Sequence, residues 1–244
     1  MARIGVLSDV HGNLPALDAV LSHAGECDSW WCAGDIVGYG PYPCECARLV
    51  AEIKARTVAG NHDLGAIGRI GLDAFNSLAR DACAWTGARL EPEVREYLES
   101  LPLALEEPPG AVIVHGSYID PVWEYVLSAE GARRSFDANA HRLCFNGHSH
   151  VPVVFACGPG GDIDTLATPD GANIYLEEGW RYIVNAGSVG QPRDGDPRAC
   201  YLVYSTDEEM ISCHRVAYPV ETTQKRMAGA GLPWFLAERI AYGR

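Results

Sequence analysis

Short apolar runs alternate with amphipathic stretches through the first sixty residues, and the alternation predicts βαβαβ. Residues 2–8 make a first strand. Asn13 caps a helix with Pro15 in its first turn that runs to about His23. "SWWCA" (29–33) makes the next strand, 43–55 a second helix and "RTVA" (56–59) a third strand. Residues 64–101 carry a helical pattern that Pro92 splits in two. "AVIVH" (111–115) and "RLCFN" (142–146) predict two more strands, with one or two helices between them over 121–140. From Val151 to Tyr218 the texture changes. "VPVVFA", "ANIYLE", "RYIVN", "ACYLVYS" and "ISCHRVAY" are β-like runs separated by Gly, Pro and Asp clusters, which is antiparallel strand-and-turn sequence. The tail from Val220 returns to helix, broken at Gly229, Gly231 and Pro233. The pattern predicts an α+β or α/β layered domain with mixed sheets. It is expected to be one domain over 1–244, with a helical cap-like insertion near 64–108 and a helical tail near 220–242.

Composition narrows the function classes. The chain has 244 residues, 48% hydrophobic and 21% charged, ordinary for a soluble globular protein with a proper core. No apolar stretch is long enough to span a bilayer, and the first residues lack the shape of a signal peptide, so a cytoplasmic location is expected. The formal net charge is −13, which argues against a nucleic-acid polymer as partner. It leaves two explanations, solubility alone or carboxylates held together by bound cations. Nine cysteines with no secretory signal argue against a disulfide framework. Cys44 and Cys46 form a lone C-x-C, a weak zinc signal, while Cys32 and Cys144 lie inside apolar runs as small buried hydrophobes.

Candidate chemistry lies where the strands end. The first ends in Ser8-Asp9-Val10-His11-Gly12-Asn13, the second in Gly34-Asp35, the third in Gly60-Asn61-His62-Asp63, the fourth in His115-Gly116 and the fifth in Gly147-His148-Ser149-His150. Carboxyl ends of strands in such sheets collect ligands, and glycine there lets the backbone turn and approach closely. Asp9 and His11 are two apart, as are His148 and His150, so each pair points one way if its segment is extended. A lone Asp-x-His or Gly-Asp means little. The ordered series is informative, because five of the eight histidines fall in these five strand ends. His23, His141 and His214 have no such context. Asp, His and Asn together form a mixed nitrogen and oxygen donor set suited to Mn, Fe, Zn or Ni. Asp9, His11, Asp35, Asn61, His115, His148 and His150 exceed what one tetrahedral ion needs. Two divalent ions sharing a carboxylate would use all seven, with Asp35 as the bridge.

This series resembles the calcineurin-like metallophosphoesterase superfamily, over motifs from residue 9 to 150 and a layout that fits to about 215. The stretch Asn185-Ala186-Gly187-Ser188-Val189-Gly190-Gln191-Pro192-Arg193-Asp194 is similar to a loop of its small bacterial phosphodiesterase-type subgroup, with Ala186 where proline is usual. The resemblance implies a four-layer α/β/β/α sandwich of two mixed β-sheets and a dinuclear metal centre. It assigns Asp9, His11 and His150 to one metal, Asn61, His115 and His148 to the other, and Asp35 between them. His62 would lie just outside as an acid or phosphate-binding group. The protein phosphatases of the superfamily carry an Asp-Arg pair shortly after Gly-Asp. Here Gly38 and Tyr39 stand in those places, which argues against a phosphoprotein substrate and leaves the orientation of His62 unexplained.

The expected activity is hydrolysis of phosphodiester or nucleotide-type substrates by a hydroxide bridging two divalent ions. Asp35 and His62 are the expected catalytic residues, and Asn61, His62 and Arg193 the substrate contacts. The alternatives are a phosphomonoesterase for small metabolites and a non-catalytic metal-binding scaffold. The expected partner is a small phosphoester, a nucleotide among the candidates. Residues 64–108 are expected to cap the cleft, with Phe75 and Trp85 as helix-packing residues and Tyr39 as loop packing. Natural substrate, native metal and oligomeric state stay open at this level.

Overall fold

The computed structural model describes residues 2–108 and 110–244. Two six-stranded sheets lie face to face. The first runs β3 (Arg56–Thr57), β2 (Ser29–Cys32), β1 (Arg3–Leu7), β11 (Ala199–Ser205), β12 (Met210–Val216), β9 (Asn173–Tyr175). The second runs β4 (Ala104–Glu107), β5 (Ala111–Val114), β6 (Leu143–Asn146), β10 (Arg181–Asn185), β7 (Val153–Cys157), β8 (Ile163–Ala167). Each is mixed. β1, β2 and β3 are parallel, as are β5, β6 and β10, and the remaining pairs are antiparallel.

The two-residue period of a strand sorts the side chains into layers. Ile4 and Val6 of β1, Trp31 of β2, Leu143 and Phe145 of β6 and Leu202 and Tyr204 of β11 fill the space between the sheets, with the Trp31 and Phe145 rings 5.3 Å apart. Leu7, Trp30, Cys32, Tyr201 and Val203 face the other way. They pack under α1 (Leu14–Ala24), α2 (Pro43–Glu52), α4 (Ser77–Gly87), α5 (Pro92–Ser100) and the tail helices α7 (Val220–Gly229) and α8 (Trp234–Arg239). On the opposite side, Val112, Val114, Cys144 and Ile183 meet Phe136 of α6 (Ala129–Asp137). The result is the helix–sheet–sheet–helix sandwich of two mixed sheets that the sequence implied. No helix among the described residues is long and apolar enough to cross a membrane.

Several local expectations change. Asn13 does not cap α1 through its side chain. Its amide nitrogen donates to Gly190 O at 2.9 Å and its oxygen accepts from Thr223 Oγ1 at 3.0 Å, tying the start of α1 to the Arg193 loop and the tail. The helical stretch starts earlier than expected, because Asn61 opens a short helix α3 (Asn61–Ala66), and the Asp63 carboxylate accepts from Gly60 N at 2.9 Å. It then breaks into a 3-10 turn at Leu72–Ala74 before α4 and α5. Of 121–140 only α6 is helical, and the preceding residues form a loop that reaches the cleft. Strands β4 (ALEE) and β8 (IDTLA) were missed, because both are half-exposed and poor in large apolar residues.

Candidate metal centre

The five strand ends meet between the sheets at one edge, stitched together by backbone hydrogen bonds. Asp9 N donates to Gly34 O at 3.0 Å and His11 N to Asp35 O at 2.9 Å, joining the ends of β1 and β2. Gly147 N donates to His115 O at 3.0 Å and Gly190 N to Asp9 O at 2.9 Å. The chain is not extended there. Asp9, His11, Asp35, His148 and His150 all have φ between +49° and +64°, the left-handed region that costs a side-chain-bearing residue about 1–2 kcal/mol. Tyr39 shares the conformation at φ +52°, and among the described non-glycine residues Lys54 and Glu209 alone have positive φ away from this site. The i, i+2 pairs therefore converge by successive left-handed turns rather than by strand alternation. Gly60 is required for contact, since a Cβ there would lie 2.1 Å from Asp35 Oδ1.

Each candidate donor is held by one atom and left free at another. Asp9 Oδ2 accepts from Ser8 Oγ at 2.6 Å and from His148 N at 3.0 Å, while Oδ1 is buried without a hydrogen-bond partner. Asp35 Oδ1 accepts from His62 N at 2.8 Å, and Oδ2 is likewise buried without one. A carbonyl oxygen only accepts, so the imidazole nitrogen beside it must carry the proton. His11 Nδ1 donates to Val37 O at 3.1 Å, His115 Nδ1 to Ala33 O at 2.8 Å, His150 Nδ1 to Gln191 O at 2.6 Å and His148 Nε2 to Trp123 O at 3.1 Å. That pattern fixes the tautomers and leaves one lone pair per neutral ring.

These free atoms gather in two groups. His11 Nε2 lies 3.1 Å from His150 Nε2, and Asp9 Oδ1 is 3.1 Å from His150 Nε2 and 3.6 Å from His11 Nε2. His115 Nε2 lies 3.1 Å from His148 Nδ1 and 3.0 Å from Asn61 Oδ1. Asp35 Oδ2 faces both groups, 3.6 Å from His11 Nε2 and 3.4 Å from His115 Nε2. Lone pairs and partnerless carboxylate oxygens aimed at one another repel in a buried setting unless a ring proton or a metal cation lies among them. The residues present thus fit divalent cations. Asp9, His11 and His150 form one cluster, Asp35, His115 and His148 another, and His11, Asp35 and His62 are also within reach of a shared ion.

The electrostatics follow from burial and neighbours. Burial opposes ionisation of Asp9, but His150 and His11 outweigh it and hold the carboxyl well below its usual range. Asp35 is lowered in the same way against its burial, chiefly by His115 and His62. Asp35 in turn raises His115 to about 9 against its burial. Burial, helped by the positive His115, depresses His148 to about 4, and burial with Arg193 depresses His150 to about 3. Burial also raises Asp63 to about 7, with the Asp35 charge adding to it.

His62 stands beside the clusters, close to Asp35, and among the described residues no carboxylate hydrogen-bonds to its ring. Burial holds it well below the usual imidazole value. Its Nδ1 is buried with no partner, and a Cβ at Gly38 would come within 2.5 Å of it. Packing orients the ring instead, with Tyr39 at 4.4 Å, His11 at 4.9 Å and Phe75 at 5.1 Å between centroids. The Asp-Arg pair missing from the sequence is thus replaced by an aromatic box. The cleft above offers about 80 Å³ of free space and opens to solvent. Its floor includes Asp35, Asn61, His62, His148 and His150, with Arg193 at the side. Phe75 lines this cleft as well as packing, 5.0 Å from the Trp123 ring. Trp85 does only pack, its indole N–H donating to Ala230 O at 3.0 Å. Sequence reasoning missed Trp123 and Tyr125, the latter stacked on His148 at 3.9 Å. Aromatic residues in an irregular loop give no pattern to find.

Acidic and imidazole donors gathered at strand ends between two sheets define a class of protein built to hold cations at a cleft. The comparisons make the class specific. The sequence model of the calcineurin-like phosphoesterase superfamily domain matches residues 2–209. An uncharacterized protein of Methanocaldococcus jannaschii is 38% identical over 249 residues, covering 100% of this chain and 99% of that protein. The crystal structure of a metallophosphoesterase from Sphaerobacter thermophilus superposes with a TM-score of 0.91 at 46% identity, covering 100% of this chain and 99% of that one. A symmetrical bis(5'-nucleosyl)-tetraphosphatase of Actinobacillus pleuropneumoniae is 25% identical over 190 residues, 74% of this chain and 64% of that enzyme. The chain belongs to the calcineurin-like phosphoesterase superfamily, and it is a metal-dependent phosphoric ester hydrolase.

Proposed function

We propose that this chain hydrolyses phosphodiester or nucleotide-type substrates at a centre of two divalent cations. Asp9, His11 and His150 would hold one cation, Asn61, His115 and His148 the other, and Asp35 would face both. The observation that carries this reading is the pair of 3.1 Å contacts between free ring nitrogens, each beside a buried carboxylate oxygen without a partner. Cations bound there would acidify water and neutralise charge on the phosphoryl oxygens.

The chain's own groups do the rest. Backbone bonds at Asp9, His11 and Gly147 fix the donors before substrate arrives, so little reorganisation is needed at the moment of reaction. His62, kept neutral, offers a ring N–H to the phosphoryl group or the leaving oxygen, and its depressed pKa favours hydrogen bonding over full proton delivery. Asn61 and Arg193 contact the substrate beside it. Residues 64–108 act as a cap through Phe75, and with Tyr39, Trp123 and Tyr125 they wall the cleft. At about 80 Å³ of free space the cleft falls below the roughly 300–1,000 Å³ of drug-sized sites, which also favours a phosphomonoesterase acting on small metabolites as the second reading. The test is hydrolysis of mono- and bis(4-nitrophenyl) phosphate after metal stripping and refilling with Mn, Fe, Zn or Ni. Diester preference supports the first reading and monoester preference the second. Two bound metals with no turnover of either ester would point to the non-catalytic scaffold.

A further inference from the structure

The ring of His148 is held from a different place than the other three candidate imidazole donors. His11, His115 and His150 donate to Val37 O, Ala33 O and Gln191 O, carbonyls of the segments that follow β2 and β10. His148 Nε2 donates to Trp123 O at 3.1 Å, and Trp123 belongs to the connection between β5 and α6. Two residues on, the Tyr125 ring lies flat on the His148 ring, 3.9 Å between centroids. The loop thus grips the imidazole on its edge and on its face. Residues 117–125 form no helix or strand, and Ile119 and Tyr125 are exposed, so the loop does not take its shape from a sheet ladder.

Its shape comes from its own polar groups. Asp120 Oδ1 accepts from Val122 N and from Trp123 N, both at 3.0 Å, a turn closed by a side chain that fixes the Trp123 peptide. Ser117 Oγ accepts from Ile119 N at 3.0 Å and from Asp120 N at 3.1 Å, and it donates to the Glu124 carboxylate. Gly116 N donates to Pro121 O at 2.8 Å and Ser117 N to Asp120 O at 3.0 Å, which closes the turn along the backbone as well. The turn is tight, since a Cβ on Gly116 would lie 2.6 Å from Asp120 O. Gly116 directly follows His115, and its carbonyl accepts from Asn146 Nδ2 at 2.8 Å. His115 Nε2 and His148 Nδ1, 3.1 Å apart, therefore lie at the two ends of one short closed path.

We propose that the 116–125 loop is a clasp that sets the His148 donor of one cation, with Asp120 as its positioning residue. The proposal rests on the reading of the site as a two-cation centre. Asp120 itself holds no cation. It fixes the peptide whose carbonyl keeps the His148 proton on Nε2, and so keeps the Nδ1 lone pair turned toward His115. Among the described residues no hydrogen bond joins this loop to Asp9, His11 or His150, so loss of the clasp falls on the cation that His148 serves.

The test compares Asp120→Ala with Asp120→Asn, whose amide oxygen still accepts from Val122 N and Trp123 N. The metal-stripped full chain is titrated with manganese in a chelator-buffered series, and bound metal per chain is counted. The wild type should take up two equivalents. Asp120→Ala should bind one of them about tenfold to a hundredfold more weakly, the usual loss when the support of a metal-bound histidine is removed, and should bind the other as the wild type does. Asp120→Asn should recover most of that loss. The free manganese that gives half-maximal turnover of bis(4-nitrophenyl) phosphate should rise by the same factor in Asp120→Ala. Ser117→Ala removes the loop's other side-chain acceptor and should show the same one-sided loss, and it decides the question if Asp120→Ala does not fold. Equal weakening of both equivalents, weakening of neither, or an Asp120→Asn variant as weak as Asp120→Ala overturns the clasp while leaving the phosphoesterase reading intact. Uptake of fewer than two equivalents by the wild type overturns the two-cation reading first, and the clasp with it.

Discussion

Asn185 is expected to hold the His148–His150 turn in place, and replacing it with alanine tests how much of the metal centre depends on positioning rather than on donors. Its side chain is buried at the end of β10. Nδ2 donates to Gly147 O at 2.6 Å and to Ser149 Oγ at 3.1 Å, while Oδ1 accepts from Gly187 N at 2.9 Å. Alanine removes all three bonds. Gly147 O keeps Ser149 N at 2.7 Å, and Ser149 Oγ keeps Val151 O, so Gly187 N is the group left buried and unpaired. An orphaned buried donor costs about 1–3 kcal/mol, and the lost bonds add roughly 1 kcal/mol more. The expected destabilisation is about 2–4 kcal/mol, measured by urea unfolding of the metal-stripped protein. Because His148 serves one cluster and His150 the other, the variant should also bind both cations more weakly, read as metal retained after dialysis against graded chelator. If Asn185→Ala retains both metals with wild-type affinity, the turn is held by something else and the positioning argument fails.

Three other outcomes follow from the same geometry. His62→Ala should keep its cations and lose about 10²–10³-fold in kcat, the usual loss for a positioned hydrogen-bond donor, and unchanged turnover would remove His62 from the mechanism. Gly38→Ala places a Cβ 2.5 Å from His62 Nδ1 at φ +93°, so it should lower the melting temperature and kcat together; a melting temperature and kcat equal to the wild type's would refute the packing account of His62. Cation binding should release protons, because His115, raised to about 9, is protonated at pH 7, while His148 and His150, lowered to about 4 and 3, are already neutral there. The His115 contribution is therefore near one proton at neutral pH and falls away as pH rises through about 9. Calorimetry in buffers of different ionisation enthalpy measures it, and heats independent of buffer would refute the His115–Asp35 pairing.

What could be seen in the sequence was the set of candidate donors. Metal chemistry tolerates few residue types, so Asp9, His11, Asp35, Asn61, His115, His148 and His150 stood out by type and by position after strands. The strands that bury both faces, such as AVIV and LCFN, were visible for a similar reason, since nothing polar interrupts them. The supports were hidden. Asn185 looks like any turn asparagine until its three partners are seen. Trp123 and Tyr125 lie in an irregular stretch where no periodicity marks a face, and the tail meets the Arg193 loop through a bond from Gly195 N to Gly243 O. These are properties of tertiary contact, and local pattern does not encode them.

The backbone at the donors shows why type and conformation had to be specified separately. Five left-handed non-glycine residues at about 1–2 kcal/mol each amount to about 5–10 kcal/mol, comparable with the net stability of a whole domain. Glycine would adopt these conformations at lower cost, and it does so next door at Gly12 and Gly34. Yet glycine carries no donor, so the chain keeps Asp and His where the backbone prefers otherwise. The strain persists because the loops over-determine it. The bonds from Asp9 to Gly34, His11 to Asp35 and Gly190 to Asp9 leave the turns no relaxed alternative that keeps the sheet ends joined. Local preference and function part company here, and of the eight described non-glycine residues at positive φ, six surround the cleft.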